Sequence, residues 1–299
     1  MAKMDKKVIL KKDMKEKQEL VNIILDRYLP RKDEYPKNIH KALRYSVFAG
    51  GKRLRPYLVL SSYQIYDEEV EKVAPVAAAI EMLHTYTLIH DDMPDLDNDE
   101  YRRGKKSTHA IFGEGHALLS GDALLVGAFE LITYAEIQPK LRVQMVRELA
   151  RDCGINGLIG GQMVDLESEG KKVDKKTIDY IHENKTAKLL RLALRFGALA
   201  GGAPAAEQKA LEEYGGKIGL AFQIIDDLLD IEGDPDEMGK TVGKDAHFQK
   251  ATYPSVYGMA ESRKKSQELI AQAREAIAPL GDRALVLDGL AEYMLTRKS

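Results

Sequence analysis

The stretch VAAAIEMLHTYTLIHDDM, residues 76–93, decides the fold. Its apolar residues recur at three-to-four spacing, the period of a helix with a buried face. The same rhythm runs through 141–167, 174–200 and 205–231. Period-two alternation with β-branched enrichment is almost absent, so strands are not expected. Prolines are scarce and well spaced, and glycines mark turns at Gly50-Gly51, Gly201-Gly202 and Gly233 to Gly243. No low-complexity linker, short repeat or shift in composition divides the chain. The expectation is an all-α bundle of long helices in one domain spanning residues 1–299. Helices apolar nearly all round, such as 218–231, should be central.

Composition narrows the class. The chain has 299 residues, a formal charge of −2 and 44% hydrophobic content. A near-neutral balance argues against a general nucleic-acid binder. The single cysteine, Cys153, excludes an internal disulfide and a thiolate metal cage, and fits a reducing compartment. MAKMDKKVILKKDMKEKQEL, the start of the chain, lacks the apolar centre of a signal peptide and reads as a solvated, partly frayed helix, with residues 1–18 as its basic segment. No stretch approaches ~20 consecutive apolar residues, so no membrane span is expected. A cytoplasmic location follows as the expectation.

The helix of 76–93 ends in DDMPDLD, residues 91–97, where four of seven side chains are carboxylates. A second acidic group, FQIIDDLLD at 222–230, answers it. Asp226, Asp227 and Asp230 fall at i, i+1 and i+4, so Asp226 and Asp230 share one helix face. Both clusters follow apolar turns, so their bases lie close to the core, where unpaired charge is costly without a cation. Oxygen ligands without His or Cys select Mg²⁺ or Mn²⁺. A calcium loop starting at Asp95 fails, because its sixth position is Glu100 and its twelfth is Lys106.

Cations are grouped near the acids. GGKRLRP, 50–56, offers Lys52, Arg53 and Arg55 at an expected helix start, an anion-binding arrangement. Arg102 and Arg103 follow the first acidic cluster, and arginine's planar fork suits phosphate oxygens. Lys185 and Thr186 in ENKTAKLL, then Lys240, Lys244 and Lys250, add more. The set suffices for more than one diphosphate. His84 is expected as a phosphate donor and His90 as a local packing or hydrogen-bonding residue. The HD pair 90–91 lacks the further spaced histidines of a metal phosphohydrolase.

Together these residues resemble the trans-isoprenyl diphosphate synthases. GGKRLRP, LIHDDMPDLDNDEYRRG, GDALL (121–125), GGQMVDLE (160–167), KTAKL (185–189) and GLAFQIIDDLLDIEGD with its following GK occur in that family's order. The resemblance implies an all-α bundle around a deep central cavity, a homodimer, and condensation of isopentenyl diphosphate with an allylic diphosphate. It implies Mg²⁺, three ions per site with Mn²⁺ as a substitute, held by Asp91 and Asp97 with Asp92 in support, and by Asp226 and Asp230 opposite. Asp227 and Lys185 join the catalytic group by the same resemblance. It assigns the allylic diphosphate to Arg102, Lys185, Thr186, Gln223, Lys240 and Lys250. Isopentenyl diphosphate falls to Lys52, Arg55, His84 and Arg103, with Gln162 and Asp165 beneath the site.

Two features bear on product length. The first motif fits both DDxxD and DDxxxxD, and the NDEYRRG register that follows resembles the bacterial form, favouring Asp97 over Asp95. Asp95 is then either a spare ligand or a solvated neighbour. Tyr86 precedes Asp91 by five residues, ~7–8 Å along a helix. A bulky ring there forms a floor to the prenyl cavity in the family and favours the C15 product, farnesyl diphosphate. Ordinary core packing of Tyr86 is the alternative, with a C20 product. Thr87 is too small to block alone. A class I terpene cyclase is a rival reading that Asp230 and GGKRLRP oppose. A non-catalytic helical partner is a second rival, opposed by the intact acids and cations.

Overall fold

The computed structural model describes residues 6–232 and 250–296. In chain order the α-helices are α1 (Lys6–Tyr28), α2 (Lys37–Val47), α3 (Leu54–Tyr63), α4 (Ala74–Asp91), α5 (Thr108–Phe112), α6 (Glu114–Thr133) and α7 (Pro139–Cys153). They continue with α8 (Leu158–Ser168), α9 (Lys175–Ile181), α10 (Lys188–Ala200), α11 (Ala205–Glu232), α12 (Tyr253–Tyr257), α13 (Met259–Ile277) and α14 (Leu285–Thr296). Among the described residues the only strands form one short antiparallel ladder, Tyr101–Arg102 against Lys105–Lys106. The fold is all-α, a mostly helical bundle of the isoprenoid synthase type.

The two helices that end in carboxylates lie where the sequence expects them. α4 begins with Pro75 in its first turn and is buried on nearly every side, from Ala74 to Ile89. It packs between α3 and α6 and also touches α1, α2 and α10. α11 runs for 28 residues against α10 and α13. Its Gly219 faces the backbone of Ala187, whose Cα would lie 2.6 Å from an added Cβ. That close approach brings Thr186 within hydrogen-bond reach of Gln223 on the following turn of α11.

The structure divides two segments that periodicity runs together. The 141–167 stretch breaks at Gly154 to Gly157 into α7 and α8. The 174–200 stretch is interrupted by a π-helical turn over His182–Ala187, the turn that carries Lys185 and Thr186. Such single π turns gather at functional sites.

Residues 6–18 of the basic start form the first half of α1. Leu10 is buried, Lys6 pairs with Asp288 at 2.9 Å, and the Gln18 amide donates to the Gly51 carbonyl at 2.7 Å. Lys17 pairs with Asp13 and covers the Tyr57 ring at 5.4 Å.

α6 is long and apolar enough, by length and composition alone, to cross a membrane. A count of consecutive apolar residues misses it because Asp122 and Glu130 punctuate the helix. One face packs on α4, while Leu118, Leu119 and Val126 stand outward, the last 67% exposed.

Candidate active site

The first acidic motif is a helix end followed by a tight return. α4 stops at Asp91, and the chain folds back so that the Asp97 N–H donates to the Asp91 carbonyl at 2.9 Å. The Asp99 N–H reaches the Asp92 carbonyl at 3.1 Å, and Asn98 turns the corner with φ 50°. Asp97 is thereby drawn beside Asp91, while Pro94 and Asp95 stay exposed on the outside of the turn.

Three acids of this turn, Asp92, Asp97 and Asp99, meet a cation. The Arg102 Nε donates to Asp92 Oδ1 at 2.8 Å, and its guanidinium also lies 3.7 Å from Asp99. Lys250 Nζ sits 2.7 Å from Asp97 Oδ1. Lys185 Nζ donates to Asp165 Oδ2 at 2.6 Å. Burial opposes the Lys185 charge, yet Asp165, Asp91 and Asp97 outweigh it and leave the ammonium pKa raised. Lys185 therefore lies in the field of both ends of the first motif. Asp91 has less compensation. Burial pushes its carboxyl above the ordinary range, Asp97 pushes the same way, and Lys185, Arg102 and Lys250 only partly offset them.

The second acidic helix joins the same cluster. Thr186 Oγ1 donates to Gln223 Oε1 at 2.9 Å, and the Gln223 amide donates to Asp227 Oδ1 at 2.9 Å. The Tyr253 N–H donates to Asp227 Oδ2 at 2.7 Å, and His182 Nε2 lies 3.3 Å from the same oxygen. Asp227 is thus an anchor that ties α11 to the π turn and to the residues after Lys250. Asp165, Lys185, Thr186, Gln223, Asp227 and Lys250 surround a polar pocket of about 90 Å³. Asp226 lies within the field of Arg55, and Asp230 is buried one helical turn further on.

On the basic side, the Arg55 guanidinium donates to His84 Nε2 at 3.2 Å. Burial lowers the Arg55 pKa to about 10, Glu81 and Asp226 draw it upward, and Arg103 lowers it further. Arg55 stays charged at neutral pH. Burial first, then Arg55, Arg103, Arg102 and Arg53, hold His84 well below its ordinary value. The imidazole is neutral, accepts from Arg55 at Nε2, and carries its proton at Nδ1. Arg103 bonds the Gly50 carbonyl, and Lys52 is exposed beside it.

Arg53 corrects the expected trio of cations. It adopts a left-handed conformation with φ 52° at the N-cap of α3 and turns into the core. There it donates to Asn22 Oδ1 at 3.0 Å, Glu81 Oε1 at 2.7 Å and the Val47 carbonyl at 2.7 Å. The helix begins at Leu54, so Pro56 stands in its third position rather than its first. Sequence reasoning missed Glu81 as the partner, although a lone acid inside an apolar helix is a visible signal. It also missed His182, buried with Nδ1 unpartnered and stacked on Tyr253 at 5.6 Å.

Tyr86 is buried on α4 and meets the His90 ring edge-on, with centroids 5.4 Å apart. The Thr87 hydroxyl donates back to the His84 carbonyl at 2.8 Å. Gln162 is partly buried on α8, one turn before Asp165. Lys240 and Lys244 lie outside the described residues.

Among the described residues no three His, Cys, Asp or Glu side chains form a ready-made metal cage. The donor set still fits Mg²⁺. It is all oxygen, it contains a carboxylate at Asp91 that burial has left under-compensated, and Mg²⁺ takes few protein ligands beside water and phosphate.

An all-α fold whose two acidic helix segments meet lysines and a threonine–glutamine–aspartate chain is the arrangement that the resemblance implies for a prenyltransferase acting on diphosphates. The chain belongs to the polyprenyl synthetase family, whose profile matches residues 36–282. It is 45% identical over 255 residues to a farnesyl diphosphate synthase of Geobacillus stearothermophilus, covering 84% of this chain and 86% of that one. It is 43% identical over 287 residues to a geranylgeranyl diphosphate synthase of Cyanophora paradoxa, covering 95% of each. Among solved structures, an FPP/GFPP synthase of Zymomonas mobilis superposes with TM-score 0.86 at 35% identity, over 97% of this chain and 99% of the other. The protein is a prenyltransferase of isoprenoid biosynthesis, and magnesium dependence is the family expectation.

Proposed function

We propose that the protein condenses isopentenyl diphosphate with dimethylallyl or geranyl diphosphate to give farnesyl diphosphate and pyrophosphate. One observation carries most weight. Lys250 meets Asp97 of the first acidic motif, and three residues later Tyr253 binds Asp227 of the second. The two motifs therefore border one polar space.

In this scheme Asp91 and Asp97, with Asp92 in support, would hold Mg²⁺ from the first motif, and Asp226 and Asp230 would hold it from the second. Three ions per site are expected, with Mn²⁺ as a substitute. Bound Mg²⁺ would supply charge that stabilises the departing pyrophosphate. Arg102, Lys185, Thr186, Gln223, Lys240 and Lys250 orient the allylic diphosphate. Lys52, Arg55, Arg103 and the Nδ1–H of His84 orient isopentenyl diphosphate. The allylic C–O bond breaks with its electron pair going to the pyrophosphate. The isopentenyl double bond attacks the allylic cation through its terminal carbon, leaving a tertiary cation at the methyl-bearing carbon. A proton from the adjacent CH2 then goes to the pyrophosphate, and its C–H electron pair forms the new double bond. Apolar turns around Leu83, Leu88, Phe222 and Ile225 keep water from quenching the cation.

Tyr86 supports the C15 product, as a ring one to two turns below the acids would stop chain growth. A C20 product is the second reading, favoured by the geranylgeranyl diphosphate synthase among the relatives. The outward Leu118, Leu119 and Val126 of α6 support a homodimer, because single-chain proteins rarely expose such runs.

Incubation with labelled isopentenyl diphosphate, separate allylic primers and Mg²⁺, followed by chromatography, tests the scheme. C15 is the expected end product. C20 would favour the second reading. Cyclised product formed without isopentenyl diphosphate would replace the scheme with a cyclase, and no product at all would refute catalysis.

A further inference from the structure

The Tyr86 ring is not left to find its own position. Met82, Tyr86 and His90 form one i, i+4, i+8 stripe along α4. Two glycines of α6 receive its ends. A Cβ at Gly127 would lie 2.8 Å from the Met82 methyl, and one at Gly121 would penetrate the His90 ring. Tyr86 lies between them. The His90 Nε2–H donates to the Leu118 carbonyl at 3.1 Å, and Asp122 Oδ1 lies 3.9 Å from the same nitrogen. That bond fixes the imidazole plane. The two rings then cross at 89° with centroids 5.4 Å apart, the favourable edge-to-face geometry of an aromatic pair.

We propose that His90, seated against Gly121 and locked to the Leu118 carbonyl, is a specificity-determining positioning residue that holds the Tyr86 ring in place and thereby sets product length. This rests on Tyr86 being the floor. His90 touches neither reacting carbon; it acts by removing the alternative rotamers of Tyr86. A tyrosine with two free torsions could swing aside and admit a longer chain. Gly121 is required because any larger residue there would expel the imidazole from its seat.

The test is a product-length cycle in the full chain, with the C20-to-C15 ratio read at matched conversion so that rate differences drop out. His90→Ala should raise that ratio about two- to tenfold, the range one aromatic contact of ordinary strength supports. Tyr86→Ala should raise it more. In the Tyr86→Ala background, adding His90→Ala should change the ratio less than about twofold, since the ring His90 held is gone. His90→Gln keeps an N–H for Leu118 but lacks the ring edge, so it should lengthen products as His90→Ala does. It serves if His90→Ala fails to fold. Lengthening by Tyr86→Ala with an unchanged ratio in both His90 variants overturns the positioning role and leaves the floor standing. An equal His90→Ala shift in both backgrounds also overturns it, because His90 would then act without Tyr86. No lengthening by Tyr86→Ala overturns the floor itself.

Discussion

Glu81 and Arg53 make the buried ion pair on which the basic loop depends, both at least 96% buried. Replacing Glu81 by Ala would strand the Arg53 guanidinium in the core and should cost about 3–5 kcal/mol, read as a lower denaturation midpoint. His84 offers a second test at this scale. Its pKa is held well below 6.5, so it stays neutral as pH rises through 6.5 and charges only under more acidic conditions. The kcat/KM profile for isopentenyl diphosphate should therefore have no acid limb from this group near pH 6.5. A limb there that disappears in His84→Gln would contradict the assignment. The residue types were legible in the sequence, since acids and cations stood out at their spacings. Their directions were not. GGKRLRP gives no hint that Arg53 turns inward while Arg55 faces His84, because a left-handed N-cap residue decides it.

Between elements, the decisive link is the chain from Thr186 through Gln223 to Asp227 and the Tyr253 amide. It fastens the π turn, α11 and the start of α12 together. Asp227→Ala would leave several buried donors unpaired and should destabilise by about 1–3 kcal/mol for each one left unsatisfied. It should also lower kcat/KM for the allylic substrate by at least about tenfold, because Gln223, which holds Thr186, and the Tyr253 segment that follows Lys250 lose their shared partner. Urea melts and initial rates at a temperature where the variant is folded separate the two effects. An unchanged rate would show that Asp227 is not needed for positioning. The long helices were legible because α4 and α11 keep one apolar period throughout. The break at Gly154 to Gly157 and the π turn were not, because the apolar rhythm runs through both. Spacing also sets Asp227 off the face shared by Asp226 and Asp230, but it gives no sign of the Tyr253 amide of α12 that Asp227 binds.

For the whole molecule, Asp91 links stability to cation binding. Its carboxyl pKa is raised by burial, so the stability it contributes is present at low pH and lost as pH rises through the folded value. A cation relieves that cost. Mg²⁺ with inorganic pyrophosphate should therefore raise Tm more at about pH 7.5 than at about pH 5, and Asp91→Asn should lose most of the difference. Assembly belongs to this scale as well. Val126→Glu on the outward face of α6 should turn a dimer into a monomer by light scattering, and a monomeric wild-type chain would remove the proposed interface. That face was illegible in the sequence, where residues 114–133 stand out only through GDALL at 121–125.

The acids of α4 and α11 are proposed to serve one diphosphate. Calorimetric binding of an unreactive allylic diphosphate analogue to Asp91→Ala and Asp226→Ala, with and without Mg²⁺, decides whether they do. Each substitution alone should abolish the Mg²⁺-dependent part of binding, and the double variant should be no worse than either. Mg²⁺-dependent affinity retained within about threefold in either single variant would mean that the two clusters bind separately.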